Sequence, residues 1–385
     1  MTNPATGYPQ LTRAAYVLRE GAFRQNLARI AAIATRADVE IILALKAFSF
    51  WPVFDIVREY LPGATASSLN EAKLVREHMG VRPHVYAPAY VPAEIDEMFA
   101  LGEYVTFNSL AELERHRAKW AAADVRPGLR VNPLYSPVAT ALYNPASPTG
   151  RLGEAMDELP VEPPPGLQGV HVHTLCESPA DVTAKLIGIV EEGLAEWLPK
   201  LSWLNLGGGH LMTRDDYDVD ALVEALHGLR ARHPQLRVTL EPGSAHAWRA
   251  GILVAHVLDV IENHGRKTAM LDVSFTCHMP DTLEMPYKPV VRGAQHVDAA
   301  APQTPTVYDL GGVSCLAGDF IAGFDFGREL SIGEQIVFED MLHYTTVKTT
   351  MFNGVQHPDL AIERVGGGVE VVRSFGFRDY ESRMG

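Results

Sequence analysis

The chain has 385 residues and a mass of 42.2 kDa, with 47% hydrophobic and 21% charged side chains, which exceeds one ordinary domain and excludes a disordered polymer. Lysine and arginine number 33 against 47 acidic residues, leaving a formal charge of -14, a balance that disfavours nucleic acid as a partner and favours a cationic substrate. Three scattered cysteines, Cys176, Cys277 and Cys315, form neither a disulfide framework nor a zinc ribbon, and MTNPATGYPQLTR lacks the basic head and apolar run of a secretory signal, so we expect a cytoplasmic protein without metal or membrane span.

In chain order, AAYVLRE near the start reads as a strand that can join a later sheet. From Glu40 onward, strand-like and helix-like segments alternate. EIILAL precedes an amphipathic stretch from Pro52 to Tyr60, ATASS precedes LNEAKLVREHMG, and HVYAPAY precedes PAEIDEMFALG. YVTFNS then leads into a helix that Ser109 can cap, and GLRVNP, GVHVHT, WLNLGGG and RVTLEPG supply further strands. The eight strands expected here start at Glu40, Ala64, His84, Tyr104, Leu129, Gly169, Trp203 and Arg237, which predicts an α/β protein with a closed (β/α)8 TIM barrel. After Ala250 the segments become β-branched and closely spaced, as in GILVAHVLDVIEN, TAMLDVSF and PTVYDLGG, predicting a mainly antiparallel β domain. The expected boundaries are a barrel over 22–252 and a β domain over 253–385, which residues 1–21 join.

Residues that end barrel strands face the mouth where such folds do chemistry. Lys46 ends IILALKAFSF; a lysine in a partly desolvated mouth can attack an aldehyde as its neutral amine, or it can simply reach out to water. Gly207, Gly208 and Gly209 follow WLNL, where bare N–H groups suit a phosphate and a tight turn equally. Glu241 closes the next strand, and alternation puts His171 and His173 on one face of theirs. A lysine, a phosphate cradle, an acid and a flat ring are the parts that hold pyridoxal 5'-phosphate.

The motifs ALKAF, TASSLNEAKL, LRVNP, YNPASPTGRLG, GVHVHTLCE, NLGGGH, LEPGS, HMPDTLEMPYKP, GGVSCLAGD and VKTTMFNG, in this order, resemble the fold-type III pyridoxal-phosphate decarboxylases. Those enzymes join an alanine-racemase-like barrel to a β domain, and the wording is most similar to the carboxynorspermidine (carboxyspermidine) decarboxylase family. The resemblance spans about Tyr16 to Ile362 and implies decarboxylation of carboxynorspermidine or carboxyspermidine to norspermidine or spermidine, in polyamine biosynthesis. It implies Lys46 as the lysine bonded to the cofactor, His173 against one ring face, and Gly207, Gly208, Gly209 and Tyr344 around the phosphate. It further implies Glu241 at the ring nitrogen and Asp319 for a substrate ammonium. Cys315 is implied to come from a second subunit as the acid that reprotonates the decarboxylated carbon, which makes a homodimer with shared sites. Arg130 and Arg151 are expected to brace the rim, and Glu177, Asp281 and Glu284 receive no role. Ornithine and diaminopimelate decarboxylases carry EPGR where this chain has Ser244, so phosphate binding leans on backbone N–H groups, Ser244 and Tyr344. The rivals are a diaminopimelate or ornithine decarboxylase of the same fold, a non-catalytic pyridoxal-phosphate carrier, and a regulatory homologue.

Overall fold

A computed structural model describes residues 7–138, 144–300 and 304–385; Tyr143 of YNPASPTGRLG and the first six residues lie outside it. The chain divides into two compact units, one of residues Met1–Arg24 with Ala247–Gly385 and the other of Gln25–His246.

The unit of Gln25–His246 is the barrel. Its parallel strands run over Ala64–Ala66, His84–Tyr86, Tyr104–Phe107, Arg126–Asn132, Gly169–His171, Trp203–Asn205 and Arg237–Leu240, and the eighth is split into Glu40–Ile41 and Leu43–Ala44. Glu40–Ile41 pairs with Arg237–Leu240 while Leu43–Ala44 pairs with Ala64–Ala66, so this strand closes the ring. The strands are buried almost throughout, as parallel strands covered on both faces must be. The expected strand at Leu129 begins earlier, at Arg126, and takes in Pro127 and Gly128. The physical reason is Trp203, whose ring fills the space beside Gly128 and Gly169 on the two strands nearby, where any Cβ would collide with it.

Trp203 also meets Tyr104 edge to face at 5.5 Å, and His84 lies over Tyr104 at 4.0 Å. Arg237, from a strand that does not pair with that of Tyr104, stacks on the same ring at 5.7 Å. These side chains therefore meet inside the barrel at the strands' N-terminal ends. Burial drives His84 down to about 3, so it is a neutral packing residue. Around the barrel, Ser68 caps the helix Leu69–His78 by accepting the Glu71 N–H, and Glu71 accepts from Ser67 at 2.6 Å, a reciprocal cap. Ser109 caps Leu110–Arg115 in the expected manner.

The other unit is a mixed sheet. Its central strand, Gly251–Asn263, pairs antiparallel with Ala15–Arg19, Arg266–Leu271 and Gln335–Glu339. Two pairings are parallel, Ala15–Arg19 with Asp359–Glu363 and Arg266–Leu271 with Val307–Gly311; the rest are antiparallel. Ala15, Val17, Ile252, Val254, Val337 and Ala361 form one buried cluster, which each strand supplies by presenting alternate residues to the same face. No helix among the described residues is long and apolar enough to cross a membrane.

Candidate active site

Strand ends assemble the site in the barrel unit. Leu43–Ala44 breaks into a turn, with the Ala47 and Phe48 N–H groups both donating to the Ala44 carbonyl, and Lys46 rides on that turn. Lys46 is exposed and has no hydrogen-bond or ion-pair partner among the described residues. The barrel unit alone therefore does not supply the desolvated setting expected for it. Its charge nevertheless acts on His173, Glu71 and Cys176, which places it on the same rim.

His173 is fixed from two sides. Its Nδ1 accepts the Gly208 N–H at 2.8 Å, and Arg130 donates to its backbone carbonyl at 3.1 Å. Burial, with the positive charges of Lys46 and Arg130, drives its pKa well below the usual histidine value, so the ring is neutral with its proton on Nε2. Arg130 is itself buried and stacks on Tyr86 at 4.6 Å, while Tyr86 donates to Asn108, which also donates to the Arg151 carbonyl. Arg130 and Arg151 thus brace this rim.

Glu241 follows the strand Arg237–Leu240 and is buried. Asn205 donates to its Oε2 at 3.0 Å, and His171 Nε2 lies 2.9 Å from its Oε1. Burial pushes this carboxyl up, but His171 and the Asn205 hydrogen bond more than offset it and hold Glu241 well below the usual carboxylate range. It is an ionised carboxylate inside the barrel mouth. His171, His173 and Glu241 also bring one ligand-type atom each within 4.8 Å of one another. Asn205 already donates to one Glu241 oxygen and the Gly208 N–H to His173 Nδ1, which fits a carboxylate held in a fixed position.

The three glycines divide their work. The Gly207 N–H donates to Asn205 Oδ1 and the Gly208 N–H to His173, so only Gly209 has no acceptor for its N–H among the described residues. Gly207 and Gly209 have φ of 69° and 92°, a region that glycine alone enters without strain. A Cβ at Gly207 would fall 2.6 Å from His173 Nδ1, one at Gly208 2.6 Å from the Glu241 carbonyl, and one at Gly209 would strike Leu175. The run is therefore dictated by close packing around His173, with one N–H left to face an anion. Ser244 opens the short helix Ser244–Ala247 nearby in sequence.

Cys315, Asp319 and Tyr344 belong to the sheet unit. Cys315 is an exposed free thiol whose N–H is anchored to Asn353 Oδ1 at 2.9 Å. Tyr344 is left-handed, with φ of 58°. Asp319, expected at a substrate ammonium, is held by backbone donors of the sheet unit. It is buried, and its two oxygens accept the N–H groups of Thr276 at 3.0 Å and Ser314 at 3.1 Å. Asp319 braces the loop that carries Cys315. Glu284 pairs with Lys348, Asp281 accepts from Tyr287, and Glu177 has φ of 46°. His171 was legible as sharing a face with His173, but its contact with Glu241 spans 70 positions and only the strand order reveals it.

The family model described as pyridoxal-dependent decarboxylase, C-terminal sheet domain, matches residues 16–341. The chain belongs to the pyridoxal-dependent decarboxylase family. Within that family, this decarboxylase is 48% identical to a carboxyaminopropylagmatine decarboxylase of Synechocystis, over 96% of this chain and 95% of the other. It is 36% identical to a carboxynorspermidine/carboxyspermidine decarboxylase of Campylobacter jejuni, over 98% and 99%. A crystal structure of carboxynorspermidine decarboxylase from Campylobacter jejuni complexed with norspermidine superposes with a TM-score of 0.88 at 35% identity, covering 97% of this decarboxylase and all of that chain.

Proposed function

We propose that this decarboxylase uses pyridoxal 5'-phosphate to remove the α-carboxylate of a carboxylated polyamine, carboxynorspermidine or carboxyspermidine, releasing norspermidine or spermidine. The observation that carries the chemistry is Glu241, an ionised carboxylate that accepts from Asn205 and lies 2.9 Å from His171, on the rim that also bears Lys46 and His173. The residues fit the cofactor. Lys46 has an unpartnered ammonium for its aldehyde, Gly209 has a free N–H, and Ser244 adds a hydroxyl for its phosphate. Neutral His173 offers a ring face, and Glu241 provides an anion for the ring nitrogen. Tyr344 is assigned to the phosphate on the family resemblance alone.

When bound, the cofactor supplies an electron sink for the pair left at Cα after carbon dioxide departs. This chain's own residues do the rest. Lys46 provides the covalent attachment. Glu241 as an anion favours a proton on the ring nitrogen and so deepens the sink. His173, uncharged and held by Gly208 and Arg130, keeps the ring plane fixed without placing a competing cation against it. Cys315 is the acid that returns a proton to Cα, and because it lies in the sheet unit we assign it to the site of a second subunit, in a cytoplasmic homodimer. Mixing a Lys46→Ala subunit with a Cys315→Ala subunit should restore activity; failure to do so removes the shared site.

The 48% identity of the Synechocystis relative favours a second reading, in which the substrate is carboxyaminopropylagmatine. That molecule offers the same carboxyaminopropyl head and a guanidinium at the far end. A diaminopimelate decarboxylase of Haemophilus influenzae matches only 40% of this chain, at 33% identity, which supports that alternative less. Turnover of the three carboxylated amines beside diaminopimelate and ornithine decides among them. Turnover of diaminopimelate or ornithine alone would refute both polyamine readings.

A further inference from the structure

His171 has no part in holding the cofactor on the family pattern, yet it is the residue most closely set against Glu241. The strand register brings them together: His171 pairs with Asn205 and Asn205 pairs with Thr239, two residues before Glu241. All three side chains point into the barrel mouth from consecutive strands and all are buried. His171 Nε2 lies 2.9 Å from Oε1, an ion-pair distance, and Asn205 Nδ2 donates to Oε2 at 3.0 Å, so each oxygen has a nitrogen of its own set against it. Tyr86 fixes the His171 ring edge to face at 5.4 Å. Both ring nitrogens are buried without an aligned hydrogen-bond partner among the described residues, so His171 acts on Glu241 through the close approach of Nε2 to Oε1.

We propose that His171 is a positioning residue that keeps Glu241 anionic and aimed, so that the proton shared between Glu241 and the cofactor's ring nitrogen resides on the ring. The inference rests on the pyridoxal phosphate reading. A carboxylate has about four lone-pair sites, so with Asn205 donating to one oxygen and His171 set against the other Glu241 still has room for a further donor, the ring N–H. Burial alone would make this carboxyl more basic and draw the proton from ring to carboxylate, leaving a neutral ring that accepts electrons poorly. The remaining charge-capable groups that act on Glu241 are His84, His173 and Arg130. His84 and His173 are neutral, and Arg130 is turned to the His173 carbonyl and Tyr86. Asn205 supplies a hydrogen bond to one oxygen, and His171 supplies the 2.9 Å contact at the other.

The test uses full-length protein loaded with pyridoxal phosphate labelled with ¹⁵N at the ring, in wild type, His171→Leu and His171→Gln. Wild type should give the nitrogen shift of a protonated ring. His171→Leu should give that of an unprotonated ring, with kcat reduced roughly 10- to 100-fold, the range that one close polar contact to a charged group supports, and KM little changed. His171→Gln, which keeps a polar N–H group beside the same oxygen, should recover most of both. A second readout needs no cofactor: the Glu241 carboxyl carbon, followed by ¹³C resonance in unloaded protein, should titrate at higher pH in the leucine variant. Wild-type nitrogen shift and kcat in loaded His171→Leu would overturn the proposal. So would an unchanged Glu241 titration, should that variant bind cofactor too weakly to be loaded. If wild type takes up no pyridoxal phosphate, the cofactor reading falls first and this inference with it.

Discussion

Replacing Asp319 separates a structural carboxylate from a substrate contact. Its side chain is 4% exposed, and each oxygen accepts one backbone N–H, from Thr276 and from Ser314. Its own N–H donates to the Leu316 carbonyl at 3.0 Å, and its carbonyl accepts from Gly312 at 2.7 Å. A Cβ on Gly312 would lie 2.7 Å from the Asp319 carboxyl carbon, so the loop has no room to close over the change. Asp319→Asn keeps one acceptor oxygen and loses one of two charge-assisted bonds, about 1.5–3 kcal/mol. Asp319→Ala leaves two half-buried N–H groups unpaired, roughly 3–5 kcal/mol. At about 2–4 °C per kcal/mol for a unit of this size, the melting midpoint of unloaded protein should fall by roughly 3–12 °C for asparagine and further for alanine. The assay is thermal unfolding by calorimetry, with KM for the preferred carboxylated amine measured below the midpoint. An unchanged midpoint with a KM raised more than about tenfold would show that Asp319 binds substrate and that the bracing account is wrong.

Borohydride treatment of loaded protein should fix the cofactor to Lys46, seen as a mass increase on the peptide around Ile41–Phe50; label on any other lysine refutes the assignment. Cys315→Ala should lower kcat at least tenfold while leaving cofactor affinity, read by fluorescence titration, close to wild type. Gly209→Ala introduces a Cβ against Leu175 at a φ of 92° and should cost more in cofactor affinity and stability than Gly188→Ala, which meets nothing nearby. His256 donates to Asp272 at 2.8 Å, and that hydrogen bond raises its pKa above the usual 6.5. The stability it adds is therefore full below pH 6.5 and is lost as pH climbs through the raised value. His256→Gln should flatten the midpoint-against-pH curve in that window.

The barrel was legible because parallel strands read as short apolar runs between amphipathic helices, and seven of the eight begin where the alternation put them. Arg126–Asn132 was read as starting late because Pro127 and Gly128 look like a turn; the ring of Trp203, 75 positions onward, is what demands glycine there. At the rim, residue type suggested a role for Lys46, His173 and Glu241, since each chemistry admits few side chains. What hydrogen-bonds to what was not legible. The glycine run looked like three free N–H groups, yet two of them turn inward to Asn205 and His173. Asp319 looked like a free acid but is bound to backbone donors at Thr276 and Ser314. Such partners come from elements remote in sequence, and local pattern carries no record of them.

Trp203, Tyr104 and His84 pack against one another where their strands begin, Tyr104 edge to face on Trp203, and the interior of such a barrel is packed side chains rather than a pore. Substrate and product therefore share the face at the strands' far ends, and a bulky residue placed on that rim should slow product release as much as uptake.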